Sequence, residues 1–268
     1  MVYDSATQSL WSFGGVEANV SSDKYHSSVY RLDLAQTDPR WDLVAISGLK
    51  PPPLAFHSVL LDEAARRLVV YGGLVDRRGS STQPANGNDV WFLDISDPEH
   101  PAWSRVSVPG NGTRRFLHAA VMVPDQQAMV ISGGFGEGFD DLRGDSFALV
   151  MGEEPMRWQR LAGAGLSPRA GHALVYQADK ERLVAYGGFT NPESNSTTGE
   201  IRVLDVAGGL PGAATWMRLT PTTPSLPRAF MGAAFDPQRG LLWVQGGFQG
   251  SNSFLQDLSV LDLTGTRP

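Results

Sequence analysis

Three arginines recur at one place in a repeating pattern. They read Arg115-Phe116-Leu117-His118, Arg169-Ala170-Gly171-His172 and Arg228-Ala229-Phe230-Met231, and Leu54-Ala55-Phe56-His57 occupies the same place without the Arg. A guanidinium is a planar fork of donors matched to a carboxylate, so Arg115, Arg169 and Arg228 set round an opening would suit acidic peptide groups. The neighbouring His57, His118 and His172 could add donors or acceptors to the same site. A structural reading stands beside this one. A polar residue repeated in register can satisfy the same buried backbone groups each time. Catalytic residues should break a repeat, not follow it.

Off-register residues offer little chemistry. His26 and His100 have no Ser and Asp partners at recognisable spacing and read as surface histidines. Glu137, Asp140, Asp141 and Asp145 form an acidic loop without the alternating ligands of a calcium site, so no metal and no cofactor is expected. The absence of cysteine excludes disulfides, thiolate nucleophiles and Cys-ligated zinc. A net charge of -6, with no basic run, argues against a nucleic-acid partner. No stretch is long and apolar enough for a membrane span, so this segment itself is not expected to insert. Three sequons begin at Asn19, Asn111 and Asn195, all in predicted loops, and make these glycosylation candidates.

The elements that must position these residues are short strands. In the second repeat, 56–61 forms segment a, 67–71 segment b, 88–94 segment c and 103–108 segment d. All are rich in β-branched and aromatic residues and bounded by turn-formers. Each a–b connection begins with an aspartate (Asp4, Asp62, Asp125, Asp179, Asp236), whose carboxylate can accept from N–H groups two residues on. Strand b ends each time on a glycine pair: Gly14-Gly15, Gly72-Gly73, Gly133-Gly134, Gly187-Gly188 and Gly246-Gly247. Glycine suits a positive φ or a close backbone approach. Segment d opens with Trp41, Trp103, Trp158 or Trp216, a large apolar wedge for packing between sheets.

The first glycines of the pairs lie 58, 61, 54 and 59 residues apart. Four antiparallel strands at that period, with Gly-Gly and Trp markers, resemble kelch repeats and predict an all-β, kelch-type β-propeller of the galactose oxidase superfamily. Two β-sandwiches are the alternative. Repeats are expected over about 1–53, 54–114, 115–168, 169–227 and 228–268 of one propeller region, the first and last incomplete. That incompleteness points to part of a six- or seven-bladed ring. Galactose oxidase uses a Tyr cross-linked to Cys, and this chain has no Cys. The iron-binding Glu/Asp/His triplet of kelch-containing plant specifier proteins is also missing.

Leu10-Trp11-Ser12-Phe13-Gly14-Gly15 and Leu261-Asp262-Leu263-Thr264-Gly265 resemble fungal kelch-domain surface proteins. That resemblance implies an extracellular or secreted propeller in a protein with a membrane helix outside this segment. A cytoplasmic location is the alternative. Strand direction puts the variable b–c loops and the d–a connections on one face, the usual place for function on a repeat scaffold. The expected function is non-catalytic recognition of a protein, or of a glycan, through that face. A sugar-active enzyme of mutarotase or oxidase type and a purely architectural glycosylated ectodomain are the alternatives.

Overall fold

Period-two alternation in strand b sends successive side chains to opposite sides of a sheet, and in the interior repeats both sides are apolar. Leu183 and Ala185 enter one core while Val184 and Tyr186 enter another. A strand of this kind must lie in a sheet covered on both faces. The computed structural model describes residues 1–17, 24–75, 89–110, 114–161, 165–210, 215–220, 225–250 and 253–264. Asn19 and Asn111, and most of the second b–c loop, lie outside the described residues.

The chain forms two compact units, Met1–Phe116 and Leu117–Pro268. The first unit holds two antiparallel sheets. One pairs Val2–Asp4, Ser9–Phe13, Val29–Asp33 and Trp41–Leu43 in that order; the other pairs Ser58–Asp62, Arg67–Tyr71, Asp89–Asp94 and Ala102–Ser107. Trp11, Phe13 and Val29 pack there against Leu68, Val70, Trp91 and Trp103. The second unit holds three sheets. Ala119–Val123, Ala128–Ser132, Ser146–Val150 and Arg157–Arg160 form one, and Ala173–Gln177, Arg182–Tyr186, Ile201–Asp205 and Met217–Leu219 the next. The last has three strands, Gly232–Asp236, Leu241–Gly250 and Ser253–Asp262. Each four-stranded sheet follows the a-b-c-d order expected of a propeller blade.

The aspartate turns come in two forms. Asp4 accepts from the Ala6 N–H and Asp236 from the N–H groups of Gln238 and Arg239. Asp125 and Asp179 lie instead in single 3₁₀ turns, Pro124–Gln126 and Ala178–Lys180. In all five repeats a left-handed residue ends the turn (Gln8, Arg66, Gln127, Glu181, Gly240), and its carbonyl accepts an N–H from the residue after strand c. Asp4 also takes a two-pronged bond from Arg66 at 2.6 and 2.7 Å, which ties the first two sheets together and holds its carboxyl down at about 2.

Two expectations need correction. Trp103, Trp158 and Trp216 are buried as wedges, but Trp41 is 44% exposed. Trp103 packs toward the sheet before its own, and within its unit Trp41 has no preceding sheet to enter. The fifth glycine pair does not end its strand. Strand b there runs on through Gly246-Gly247 to Gly250, with register shifts where the pair sits, and makes a long hairpin with strand c.

Candidate functional site

The d–a segments and the glycine pairs meet in a repeated backbone joint. The second glycine of one repeat donates its N–H to the carbonyl of the motif's first residue in the next. These bonds are Gly15 to Leu54 at 2.7 Å, Gly73 to Arg115 at 2.9 Å, Gly134 to Arg169 at 2.8 Å and Gly188 to Arg228 at 2.8 Å. Every glycine of the five pairs has a positive φ.

Arg115, Arg169 and Arg228 all have no exposed surface. The Arg169 side chain donates to the Gly187 carbonyl, the Ser167 carbonyl, the Ser167 hydroxyl and the Glu200 carboxylate, the last at 3.1 Å. Burial lowers its affinity for its proton, and Glu200 restores part of it. Arg228 donates to the Gly246 carbonyl and grips both oxygens of Asp257 at 2.9 Å. That bond holds the Asp257 carboxyl far below the ordinary carboxylate range and raises the pKa of Arg228. Burial raises the pKa of the Glu200 carboxyl, but Arg202 and Arg169 prevail and hold it low. Arg169 and Arg228 are therefore fasteners within their repeats. The Arg169 donors and both terminal amino groups of Arg228 are spent on internal acceptors, only the buried Arg228 Nε being without a partner, so neither offers an exposed fork to a ligand as the sequence pattern suggested.

The histidines are also inward. His172 is 6% exposed and its Nε2 lies 2.7 Å from Ser132 Oγ. His57 packs edge-on to Phe13 with ring centres 5.1 Å apart, and burial pushes its pKa down to about 4. His118 is half-buried. Burial, with the charge of Arg169 adding, pushes His172 from 6.5 down to about 3. An unfolded chain would bind that proton near 6.5, so acid favours unfolding across the interval. The contribution of neutral His172 is complete above 6.5 and drains away as the pH falls toward about 3. Urea unfolding should show about 2 kcal/mol less stability near pH 5 than near pH 7 from this residue alone. His172→Gln should flatten the profile by that amount; an unchanged slope would disprove the assignment.

The remaining candidates separate cleanly. His26 lies 3.7 Å from Glu17 and the exposed His100 bonds Asp97 at 2.9 Å. Asp141 clamps its own loop by accepting from Arg143 and from the Glu137 N–H. Among the described residues no three metal-ligating side chains converge, and no helix is long and apolar enough to cross a membrane. Asn195 is exposed at the tip of a small hairpin, Phe189–Asn191 paired with Ser196–Thr197.

A row of phenylalanines in the second unit is what sequence reasoning missed. Phe139 and Phe135 lie 5.3 Å apart, Phe135 and Phe189 6.3 Å, Phe189 and Phe230 6.1 Å, Phe189 and Phe248 6.5 Å, and Phe248 and Phe254 5.5 Å. Phe139, Phe230 and Phe254 are exposed by 36, 46 and 74%. The whole row comes from the b–c segments and one d–a connection of three repeats. Bridges Ala170–Phe189 and Ala229–Phe248 bring those two kinds of segment side by side. The signal available was the residue after each glycine pair, Phe135, Phe189 and Phe248.

A model of the KLHDC2/KLHL20/DRC7 Kelch-repeats domain matches residues 1–165. The dynein alpha chain of the flagellar outer arm from Chlamydomonas reinhardtii is 26% identical over 187 residues, covering 66% of this chain and 4% of that protein. Serine/threonine-protein phosphatase BSL2 from Arabidopsis thaliana is 27% identical over 202 residues, covering 74% of this chain and 18% of the relative. The chain thus spans only a small part of these curated relatives. The solved structure of YjhT superposes with a TM-score of 0.61 and 17% identity, over 87% of this chain and 71% of that one. At that identity the likeness concerns the fold.

Proposed function

This chain belongs to the kelch-repeat family and has its β-propeller fold, and we propose that it is a non-catalytic module that recognises a protein through the face carrying the b–c loops and d–a connections. The observation that supports this most is the exposed phenylalanine row, Phe139, Phe230 and Phe254, on that face. Exposed apolar surface of this kind is characteristic of interaction sites. The burial of Arg169 and Arg228 moves the proposed contact from the arginines to the rings and loops around them.

A comparison of faces tests this. Phe139→Ser with Phe254→Ser alters the loop face; Glu63→Ala with Gln238→Ala alters exposed a–b turns at the other ends of the strands. Partners recovered by cross-linking to the wild type should be lost with the first pair and kept with the second. The reverse pattern would overturn the choice of face, and capture of glycans without protein would overturn the partner class.

A secretory-route location is proposed with it, on the exposed position of Asn195 at its hairpin tip. Material secreted by eukaryotic cells should carry a glycosidase-sensitive mass at Asn195 that Asn195→Gln removes. Unmodified Asn195 in secreted protein would count against this placement.

A further inference from the structure

The third residue of the d–a motif is left-handed in each repeat that has the motif. Phe56, Leu117, Gly171 and Phe230 have φ of 60, 53, 61 and 58°. Only glycine adopts that conformation without steric cost. Phe56 and Phe230 are 39% and 46% exposed, so core packing does not fully compensate for the strain. Bulky exposed residues held in this conformation point to a use outside the fold.

In the unit 117–268 these positions are joined in a row. The Gly171 N–H donates to the Leu117 carbonyl at 2.9 Å and the Phe230 N–H to the Gly171 carbonyl at 2.7 Å. The Phe230 ring covers Gly171, where an added Cβ would lie 2.2 Å from a ring carbon. This row borders the larger ring row through the 6.1 Å contact of Phe230 with Phe189. The charge beside it is one-sided. Residues 135–144 and 189–199 carry Glu137, Asp140, Asp141 and Glu193 against Arg143 alone, and 248–255 carry no charge. The cations of the d–a connections, Arg169 and Arg228, are buried against Glu200 and Asp257.

We propose that the phenylalanine row of residues 117–268 binds a peptide segment of a protein partner in which a large apolar side chain stands beside an arginine or lysine. The claim rests on the loop-face reading above and adds the partner's chemistry. Phe230 and Phe254 offer apolar surface for the large side chain. Ring faces attract a guanidinium or ammonium, and the acidic loops raise the local concentration of a cationic segment. An acidic segment would find both arginines of this unit's motif buried against Glu200 and Asp257.

The test is selection of a random displayed peptide library on the whole chain, followed by fluorescence anisotropy of labelled synthetic winners. Winners should pair aromatic or leucine residues with net positive charge. Phe230→Ala with Phe254→Ala should weaken them by about tenfold or more. Asp140→Asn with Glu193→Gln should weaken them less and reduce their salt dependence. Thermal unfolding of each variant would confirm that the fold persists. Acidic or uncharged winners that still respond to the ring variants would overturn the chemistry and leave the binding face standing. Winners indifferent to every variant on this face, or no winners at all, would overturn both. A dimer in sedimentation that Phe254→Ser dissolves would assign the row to a second copy of the chain instead.

Discussion

Arg169→Ala is expected to lower the unfolding free energy by about 3–5 kcal/mol, the cost of removing a fully buried long side chain together with the hydrogen bonds it donates. The side chain has no exposed surface and joins the Gly187 carbonyl to Glu200 while holding the loop at Ser167. Alanine leaves the Gly187 carbonyl without that donor and leaves a cavity the size of a long side chain. A lysine at this position would keep the charge but not the fork, so Arg169→Lys should recover only part of the loss. Glu200→Gln should cost less, because Glu200 is about a quarter exposed and can still accept a bond. Urea unfolding followed by the fluorescence of Trp158 and Trp216, both buried in this unit, measures the effect. A wild-type midpoint in Arg169→Ala would disprove the fastening role. Ligand binding lost in an arginine variant reports a damaged repeat joint unless its stability is measured alongside.

The repeat, the strand order and the turn aspartates were legible because they depend on neighbours in sequence. A strand pattern, an aspartate-led turn and a glycine at positive φ are local, and five copies of each reinforce one another. The aspartates lie 10, 10, 8, 8 and 10 residues before their glycine pairs, and the two shorter spacings have a local cause, the 3₁₀ turns at Asp125 and Asp179. What could not be read was any role fixed by a distant partner. Arg169 meets Glu200 and Arg228 meets Asp257, 31 and 29 residues away. Register showed that the arginines recur; burial against those carboxylates is what makes them internal. Trp41 carries the same marker as Trp103 yet stays exposed, because within its unit no sheet precedes its own for the wedge to enter. The phenylalanine row was illegible for the same reason. Each ring is an ordinary loop residue in sequence, and only side-by-side loops bring Phe139, Phe189, Phe230 and Phe254 into one series.

Gly133→Ala against Gly246→Ala separates the two reasons a glycine can be required. Their backbones match, with φ of 59 and 61°, so the penalty for a left-handed alanine, about 1–2 kcal/mol, is common to both. Their surroundings differ. A Cβ on Gly133 would lie 2.4 Å from the Arg169 carbonyl oxygen and 2.9 Å from His172 Cε1; on Gly246 the nearest atom is the Leu255 oxygen at 3.2 Å. The Arg169 oxygen cannot retreat freely, since it accepts the Gly134 N–H at 2.8 Å across the joint between repeats. Moving His172 would stretch its 2.7 Å contact with Ser132. Gly133→Ala should therefore lose that inter-repeat hydrogen bond as well, for a total of about 3 kcal/mol or more, while Gly246→Ala stays near the backbone cost alone. Paired urea titrations of the two variants decide the matter. A clear excess for Gly133 means the glycine pair exists to let one repeat grip the next. Equal losses would mean that left-handed backbone geometry alone selects glycine, and that the joint tolerates a methyl group.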